Sequence, residues 1–394
     1  MFKLTRRVML ATAALMLSTS AWSAGVVKVG VIGPFSGPFA GAFGTPFRQG
    51  VETYVATHGD KVGDTKIEFI YRDLAGPDPQ KAKSLAQDLV VKDKVQYLAG
   101  VVFTPNAMAM APLVQSAKVP LVIFNASTSV VVSKSDYFVR TSNTLPQVTV
   151  PVAKYALEHN VKSVVTIVSD YGPGIDAEKA FASTFEAGGG KVLESIRMPL
   201  STSDFGPFLQ KIRAVKPDAL FTFLPFGPPT YAFVKAYNEN GLKNDGVRFL
   251  GTSETQESDL QALGDSAIGL ETAYFYSGAH DSAENKKFVA ALAKLDPAAV
   301  ANPATVSAYD GTHVIYKMVE ATGGKADGAK AVAAVKGLAW ESPRGPVKID
   351  TETRDIIQNV YMRKVERDPA SGKLVNREFK IYEAQPDYGR LAAK

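Results

Sequence analysis

The sequence predicts an α/β protein made of two doubly wound lobes, each with a mainly parallel β-sheet covered by helices. Short β-branched apolar runs alternate with longer amphipathic stretches, which is the pattern of successive βαβ units. The chain also has 394 residues, more than one ordinary hydrophobic core accommodates. We therefore expect two lobes rather than one.

Candidate strands and helices alternate in two successive series. In the first series, strands are predicted at 26–32, 67–71, 95–101 and 121–124, and helices at 48–57, 79–91 and 106–116. In the second series, strands are predicted at 164–169, 191–197, 219–224 and 248–250, and helices at 147–158, 175–187, 208–215 and 230–240. The break at 141–146 is where the chain is expected to cross from one lobe to the other.

The later helices are assigned to a lobe according to which sheet still needs helices to cover it. An aromatic strand at 273–277 precedes helices at 283–294, 304–320 and 326–335, and strands follow at 356–365 and 379–382. The first series has fewer flanking helices, so the three helices are assigned to its lobe and the chain is expected to recross near Val347. The predicted N-terminal lobe is 24–144 with 274–347, and the predicted C-terminal lobe is 145–273 with 348–394.

The N-terminus has the layout of a secretory signal peptide. Lys3, Arg6 and Arg7 precede an apolar run at 8–17, which small residues follow. That run is shorter than the roughly 20 apolar residues that span a bilayer, so residues 1–23 are expected to be removed. The sequence contains no cysteine, which a lipid anchor on an exported protein would require. We expect a freely diffusing periplasmic product.

The sequence contains no pattern that predicts catalysis, a cofactor or a metal ion. Two prolines in the turn at 33–38 break the glycine spacing of a dinucleotide site. Walker A and Gly-x-Ser-x-Gly spacings are absent, and the four histidines have no second ligand at helical spacing. The net charge of +5 is spread among acidic residues, so a nucleic-acid partner is not expected. Binding is favoured over enzymatic activity, which remains the alternative.

Candidate ligand-binding residues of the first lobe follow the predicted strands, because such folds bind ligands at the carboxyl ends of their strands. Glycines and prolines prevent a regular helix before about Phe47, so Phe43 is the candidate for the ligand wall. Hydroxyls and backbone N–H groups at the next two junctions suit a carboxylate without a buried cation; helix capping is the alternative. The residues at these junctions are Phe103, Thr104, Ala126, Ser127 and Thr128.

Three residues of the second lobe occupy matching junctions. Tyr171 opens a helix after a strand, and Phe226 follows the strand at 219–224, so two aromatic rings are expected to close over the ligand. A surface turn is the alternative for Tyr171. Glu254 follows the strand at 248–250 and is the best candidate for receiving an ammonium group.

Four segments carry a resemblance to a known family. They are Val-Gly-Val-Ile-Gly-Pro-Phe-Ser-Gly-Pro at 29–38, Arg-Asp-Leu-Ala-Gly-Pro-Asp-Pro at 72–79, Val-Ser-Asp-Tyr-Gly-Pro-Gly at 168–174 and Ala-Tyr-Asp-Gly at 308–311. The order and spacing of these four segments make the chain resemble the leucine/isoleucine/valine-binding family of solute-binding proteins over residues 29–366. The resemblance implies the type I periplasmic binding fold, a three-crossing hinge, and ABC importer permease subunits as partners. We expect a monomer.

The resemblance also implies roles for individual residues. Thr104 corresponds to a hydroxyl that binds the ligand carboxylate, and Ala126 and Thr128 to the backbone and hydroxyl donors that complete this site. Phe43 and Tyr171 correspond to aromatic residues of the pocket. The next aromatic position falls on Pro225 or Phe226, and a carboxylate that binds an ammonium group falls on Ser253 or Glu254.

The expected ligand is a small apolar or aromatic carboxylate, with an aromatic acid favoured over a branched-chain or aromatic amino acid. The candidate junctions are rich in aromatic rings, which suit an apolar ligand. An amino acid would also bring an ammonium group that needs a buried carboxylate, and Glu254 is the one good candidate. The rival hypothesis is the ligand-sensing module of a receptor, which would need a membrane span or a signalling domain.

The signal peptide gives the first testable prediction. Exported protein should begin near Ala24, because the small residues Ala21 and Ser23 fit a cleavage after Ser23. Mass spectrometry of the secreted product measures this N-terminus directly. An intact Met1 would contradict export by cleavage.

Overall fold

A computed structural model describes residues 25–391, so the predicted signal peptide at 1–23 lies outside the described residues. The described chain forms two β-sheets. Its strands, in chain order, are β1 (Val26–Gly33), β2 (Lys61–Val62), β3 (Thr65–Asp73), β4 (Tyr97–Gly100), β5 (Leu121–Ile123), β6 (Phe138–Arg140), β7 (Ser163–Ser169), β8 (Lys191–Met198), β9 (Ala219–Phe223), β10 (Arg248–Gly251), β11 (Glu271–Tyr274), β12 (Ala339–Ser342), β13 (Gly345–Ile349), β14 (Ile356–Arg367) and β15 (Leu374–Gln385).

Helices connect most of these strands. They are α1 (Thr45–His58), α2 (Pro79–Val91), α3 (Thr104–Ala117), α4 (Leu145–Glu158), α5 (Gly172–Ala187), α6 (Gly206–Val215), α7 (Pro228–Glu239), α8 (Glu257–Leu263), α9 (Ala283–Leu295), α10 (Pro303–Thr322), α11 (Gly328–Val335) and α12 (Tyr388–Leu391). A π-helical turn covers Ala40–Gly44, and 3₁₀ turns cover Ser129–Lys134 and Gly264–Ala267. None of the helices within 25–391 combines the length and the apolar character of a membrane span.

The two sheets confirm the predicted fold class. The first has the order β2-β3-β1-β4-β5-β6 and is parallel except for the short β2. The second has the order β12-β13-β14-β11-β10-β9-β7-β8, with β15 paired to β14. Its β7 to β11 part is parallel, and β12 to β15 add an antiparallel extension. Each sheet forms the centre of one lobe.

Burial, helix capping and close helix packing account for the elements of the first lobe. In β1, the adjacent residues Val31 and Ile32 point to opposite faces of the sheet and are both completely buried, as expected for a parallel strand covered on both faces. The Asp78 side chain accepts the N–H of Lys81 at 2.9 Å, which caps the start of α2. Helices α1 and α10 approach so closely that a Cβ at Gly50 would lie 2.2 Å from a backbone oxygen of α10. This close contact packs α10 against α1 of the first lobe.

The chain passes between the lobes three times. It leaves the first sheet after β6 and enters α4, and it leaves the second sheet after β11 to form α9, α10 and α11. The third crossing was expected near Val347, but β12 already pairs with β13 in the second sheet. The crossing therefore lies between Val335 and Ala339. Strands β2, β6, β12 and β13 were not among the predicted strands.

A buried arginine joins the crossing segments. Arg344, in the turn between β12 and β13, is completely buried with its partner Asp310 on α10, and Nη2 lies 2.6 Å from Oδ2. The same Nη2 donates to the carbonyl oxygen of Thr141 at 2.6 Å, in the first crossing. Nη1 donates to Oε1 of Gln358 on β14 at 2.9 Å. One guanidinium thus connects the first lobe, the first crossing and the second lobe.

We predict that Arg344→Met destabilises the protein strongly. The substitution leaves the Asp310 carboxylate buried without its charge partner, which costs about 3–5 kcal/mol of unfolding free energy. Urea denaturation followed by circular dichroism measures this loss. The matched control is Arg213→Met, because Arg213 pairs with Asp245 on the exposed surface and should leave the midpoint nearly unchanged. Equal losses in the two variants would contradict the proposed importance of the buried connection.

Candidate functional site

A narrow cleft lies between the lobes at the carboxyl ends of the parallel strands. This is the position at which open α/β sheets bind ligands. The first lobe lines it with Phe43, Val102, Phe103, Thr104, Asn125 and Ser127. The hinge and second lobe line it with Leu145, Tyr171, Pro173, Phe223, Pro225, Phe226, Ser253 and Tyr274.

Most of the predicted site residues meet in this cleft. Phe43, Phe103, Thr104, Ser127, Tyr171 and Phe226 line it, whereas Ala126, Thr128 and Glu254 lie behind its surface. Phe223 and Tyr274 line the cleft but were not among the predicted residues. Each is the last residue of its strand, but the predicted strands placed Phe223 inside 219–224 and Tyr274 near a strand start, so the strand-end rule did not select them.

Aromatic rings from both lobes form the walls of the cleft. Phe43, on the π-helical turn after β1, stacks on Phe226 of the second lobe with ring centroids 5.0 Å apart and planes 7° apart. Phe226 also meets the edge of Tyr274 at 6.1 Å, and Tyr171 stacks on Phe223 at 6.2 Å. Stacking across the cleft brings the lobes into contact and leaves flat apolar surfaces inside it.

Two hydroxyls and two helix N-termini converge at one end of the cleft. Thr104 is the first residue of α3, and its Oγ1 lies 2.9 Å from Oγ1 of Thr128. The N-terminus of α5 in the second lobe reaches the same place, where a Cβ at Gly172 would lie 2.8 Å from Thr128 Oγ1. Hydroxyl donors and the partial positive charge of helix N-termini suit an anion.

A second buried arginine supports this end from behind. Nη1 of Arg140 donates to the carbonyl oxygens of Ala126 and Thr128 at 2.8 and 2.9 Å. Arg140 also pairs with Asp355, whose pKa is raised to about 6 by burial, with the charge of Arg140 opposing that rise. Arg140 therefore fixes the loop that carries Thr128.

Ala126 has a different role from the one expected. Its N–H donates to the carbonyl oxygen of Val101 at 3.2 Å, and its carbonyl accepts from Arg140. Both backbone groups are used within the first lobe, so Ala126 shapes the loop instead of supplying a donor to the cleft. Ser127, the next residue, faces the cleft.

Glu254 is also turned away from the cleft. Its Oε1 accepts the N–H of Leu224 at 3.0 Å, and its Oε2 accepts the N–H of Thr252 at 2.6 Å. Burial raises the pKa of this carboxyl to about 7, with the backbone hydrogen bonds acting in the opposite direction. The carboxylate therefore ties two loops of the second lobe together. Of the two positions onto which the resemblance placed an ammonium-binding carboxylate, Ser253 lines the cleft and Glu254 does not.

Comparisons with known proteins agree with this geometry. A family model described as periplasmic binding protein matches residues 26–373. The chain is 52% identical over 97% of its length to Leu/Ile/Val-binding protein homolog 6 of Brucella abortus (strain 2308), covering 98% of that protein.

Two solved structures are also similar. A solute binding protein of an ABC transporter from Rhodopseudomonas palustris HaA2, in complex with p-hydroxybenzoic acid, is 55% identical with a TM-score of 0.91, covering 94% of this chain and 100% of that one. One from Rhodopseudomonas palustris BisB5, in complex with 3,4-dihydroxybenzoic acid, is 44% identical with a TM-score of 0.88, covering 93% and 99%.

The buried carboxyl of Glu254 predicts a pH effect on stability. Its folded-state pKa of about 7 exceeds the ordinary value of 4.5, so the folded protein binds this proton more tightly than the unfolded chain. The contribution is present below about pH 4.5 and is lost as the pH rises through 7, by on the order of 3 kcal/mol. Unfolding free energies of wild type and Glu254→Gln, measured by urea denaturation between pH 5 and 8, should diverge in slope, with the variant flatter. Parallel curves would contradict the assignment.

Proposed function

Because this chain belongs to the periplasmic binding protein family, and within it to the leucine/isoleucine/valine-binding type, we propose that it captures an aromatic carboxylate between its lobes and delivers it to an ABC importer. The family consists of solute-binding proteins rather than enzymes. Two similar solved structures hold p-hydroxybenzoic acid and 3,4-dihydroxybenzoic acid, which supports an aromatic acid as the ligand here.

The observation that carries this proposal is the composition of the cleft walls. Rings from both lobes line it, and the planes of Phe43 and Phe226 lie only 7° apart. Because these two rings contact each other directly, they close the cleft between the lobes. The aromatic lining as a whole suits a flat aromatic solute better than a branched aliphatic one.

The anion-binding end supports a carboxylate on that ring. Thr104 and Ser127 face the cleft there, and the N-termini of α3 and α5 converge beside them. Hydrogen bonds from hydroxyl and N–H donors hold a carboxylate without a cation in direct contact. Arg140 is already paired with Asp355 behind the loop, so its charge supports the loop and is largely neutralised.

The cleft offers no partner for an ammonium group, which argues against an amino acid. None of the cleft-lining residues in the part of the chain that the structure describes carries a charge. Both oxygens of Glu254 accept backbone N–H groups, and the neutral Ser253 occupies the adjacent cleft position. Burying an unpaired ammonium group is very costly, so a carboxylate that lacks one fits better.

The rest of the proposal follows from the import role. Residues 1–23 direct export to the periplasm, and the mature protein diffuses there as a monomer without a lipid anchor. Its partners are the membrane permease subunits of the importer. Closure of the lobes around the ligand creates the surface that such a permease would recognise.

The direct test is a calorimetric titration of the purified protein with benzoate, 4-hydroxybenzoate, leucine and phenylalanine. We expect binding of the aromatic acids and none of the two amino acids. Thr104→Val keeps the side-chain shape and removes a hydrogen bond to a charged group, so affinity for the acids should fall by about ten-fold or more. Tight binding of leucine by the wild type would contradict the proposal.

The matched control is Thr149→Val. The Thr149 hydroxyl on α4 is buried without a partner and does not line the cleft. This variant should keep the wild-type affinity. An equal loss in the two valine variants would mean that Thr104 has no direct part in binding.

A further inference from the structure

Ser253 presents a buried hydroxyl to the cleft without a hydrogen-bond partner. The residue is completely buried, it follows β10, and it lines the second-lobe wall of the cleft. Its Oγ makes no hydrogen bond within the described chain. The hydroxyls of Thr149 and Thr252 are also unsatisfied within the described chain, but of these three residues only Ser253 lines the cleft. Leaving a buried hydroxyl unsatisfied is unfavourable, so its position on this wall points to a ligand group that satisfies it.

Tyr171 shows the direction in which a ligand lies in the cleft. Its backbone adjoins Gly172, which contacts Thr128 at the anion-binding end. Its hydroxyl lies within electrostatic range of Glu254, the neighbour of Ser253. The tyrosine side chain therefore extends from the anion-binding end toward the loop of Ser253, along one wall of the cleft.

The functional groups of a para-hydroxylated aromatic carboxylate can follow this same direction along the cleft. Its carboxylate, ring axis and hydroxyl lie on one line, so a carboxylate at Thr104 directs the para substituent toward the second lobe. We propose that Ser253 hydrogen-bonds this ring hydroxyl and thereby makes the protein prefer para-hydroxylated acids to benzoate. The inference rests on the proposed function, and it adds the residue that recognises the ring hydroxyl by a hydrogen bond.

Two other polar groups on these walls are already engaged. The Tyr274 hydroxyl donates to Oδ1 of Asn143 at 3.3 Å, and Nδ2 of Asn125 donates to the carbonyl oxygen of Val102 at 3.1 Å. The rival is the Tyr171 hydroxyl, which lies toward the same end of the cleft. Tyr171→Phe separates the two possibilities.

Thr252 supplies a matched control within the same loop. Its Oγ1 is also buried without a partner, but the residue does not line the cleft. Thr252→Val removes this hydroxyl and keeps the side-chain shape. Any effect specific to the cleft should appear in Ser253→Ala and be absent from Thr252→Val.

The experiment is calorimetry of the full mature protein with benzoate, 3-hydroxybenzoate and 4-hydroxybenzoate. Wild type should bind 4-hydroxybenzoate about ten-fold more tightly than benzoate, which is the effect of one hydrogen bond to an otherwise unsatisfied group. Ser253→Ala should bring the two affinities close together while the benzoate affinity stays the same. Thr252→Val and Tyr171→Phe should keep the preference, and 3-hydroxybenzoate should respond little to Ser253→Ala.

Several results would overturn the inference. An unchanged preference in Ser253→Ala, its loss in Tyr171→Phe instead, or a wild type that binds the acids without preference would each do so, with the proposed function intact. A wild type that binds none of the three acids would defeat the proposed function itself. If Ser253→Ala does not fold, Ser253→Cys keeps the size of the side chain, replaces the hydroxyl by a weak donor, and carries the same expectation.

Discussion

The buried guanidinium of Arg344 sets how the two lobes meet. It holds Asp310 of α10, the carbonyl of Thr141 in the first crossing and Gln358 of β14 at once. Because an unpaired buried charge is so costly, these segments are held to one arrangement. The strands of both sheets consequently end at a common cleft, and the residues after those strands face one another. Without this connection, Phe43 and Phe226 would belong to separate surfaces.

A second buried ion pair connects the hinge with the anion-binding end. Arg140 leaves the last strand of the first sheet, pairs with Asp355 just before β14, and holds the carbonyls of Ala126 and Thr128. The loop beside the cleft is therefore held by an arginine of its own lobe, whose charge partner lies across the hinge. Its donors are oriented in advance, so little ordering is needed when an anion binds.

The cleft divides recognition between the lobes. The first lobe supplies the hydroxyls at the anion-binding end, and the second supplies Tyr171, Phe226 and Ser253. The N-terminus of α5 lies beside Thr128 of the first lobe. On the proposed function, a bound aromatic carboxylate would contact both lobes at once, which would link binding to closure by differential affinity for the two states.

Hydrophobic periodicity and turn residues mark strand ends locally, so they predicted most of the element order, the two lobes and six of the fourteen residues that line the cleft. Phe43, Thr104, Tyr171 and Phe226 were found by this rule. Tertiary structure alone decided that Ser253 rather than Glu254 faces the cleft, that the N–H of Ala126 is used by Val101, and that the third crossing precedes β12. In the loop after β10, Ser253 lines the cleft and its neighbour Glu254 does not, so a change of one position changes the role. Which direction faces the ligand depends on hydrogen bonds between segments that are distant in the sequence, and local patterns contain no information about them.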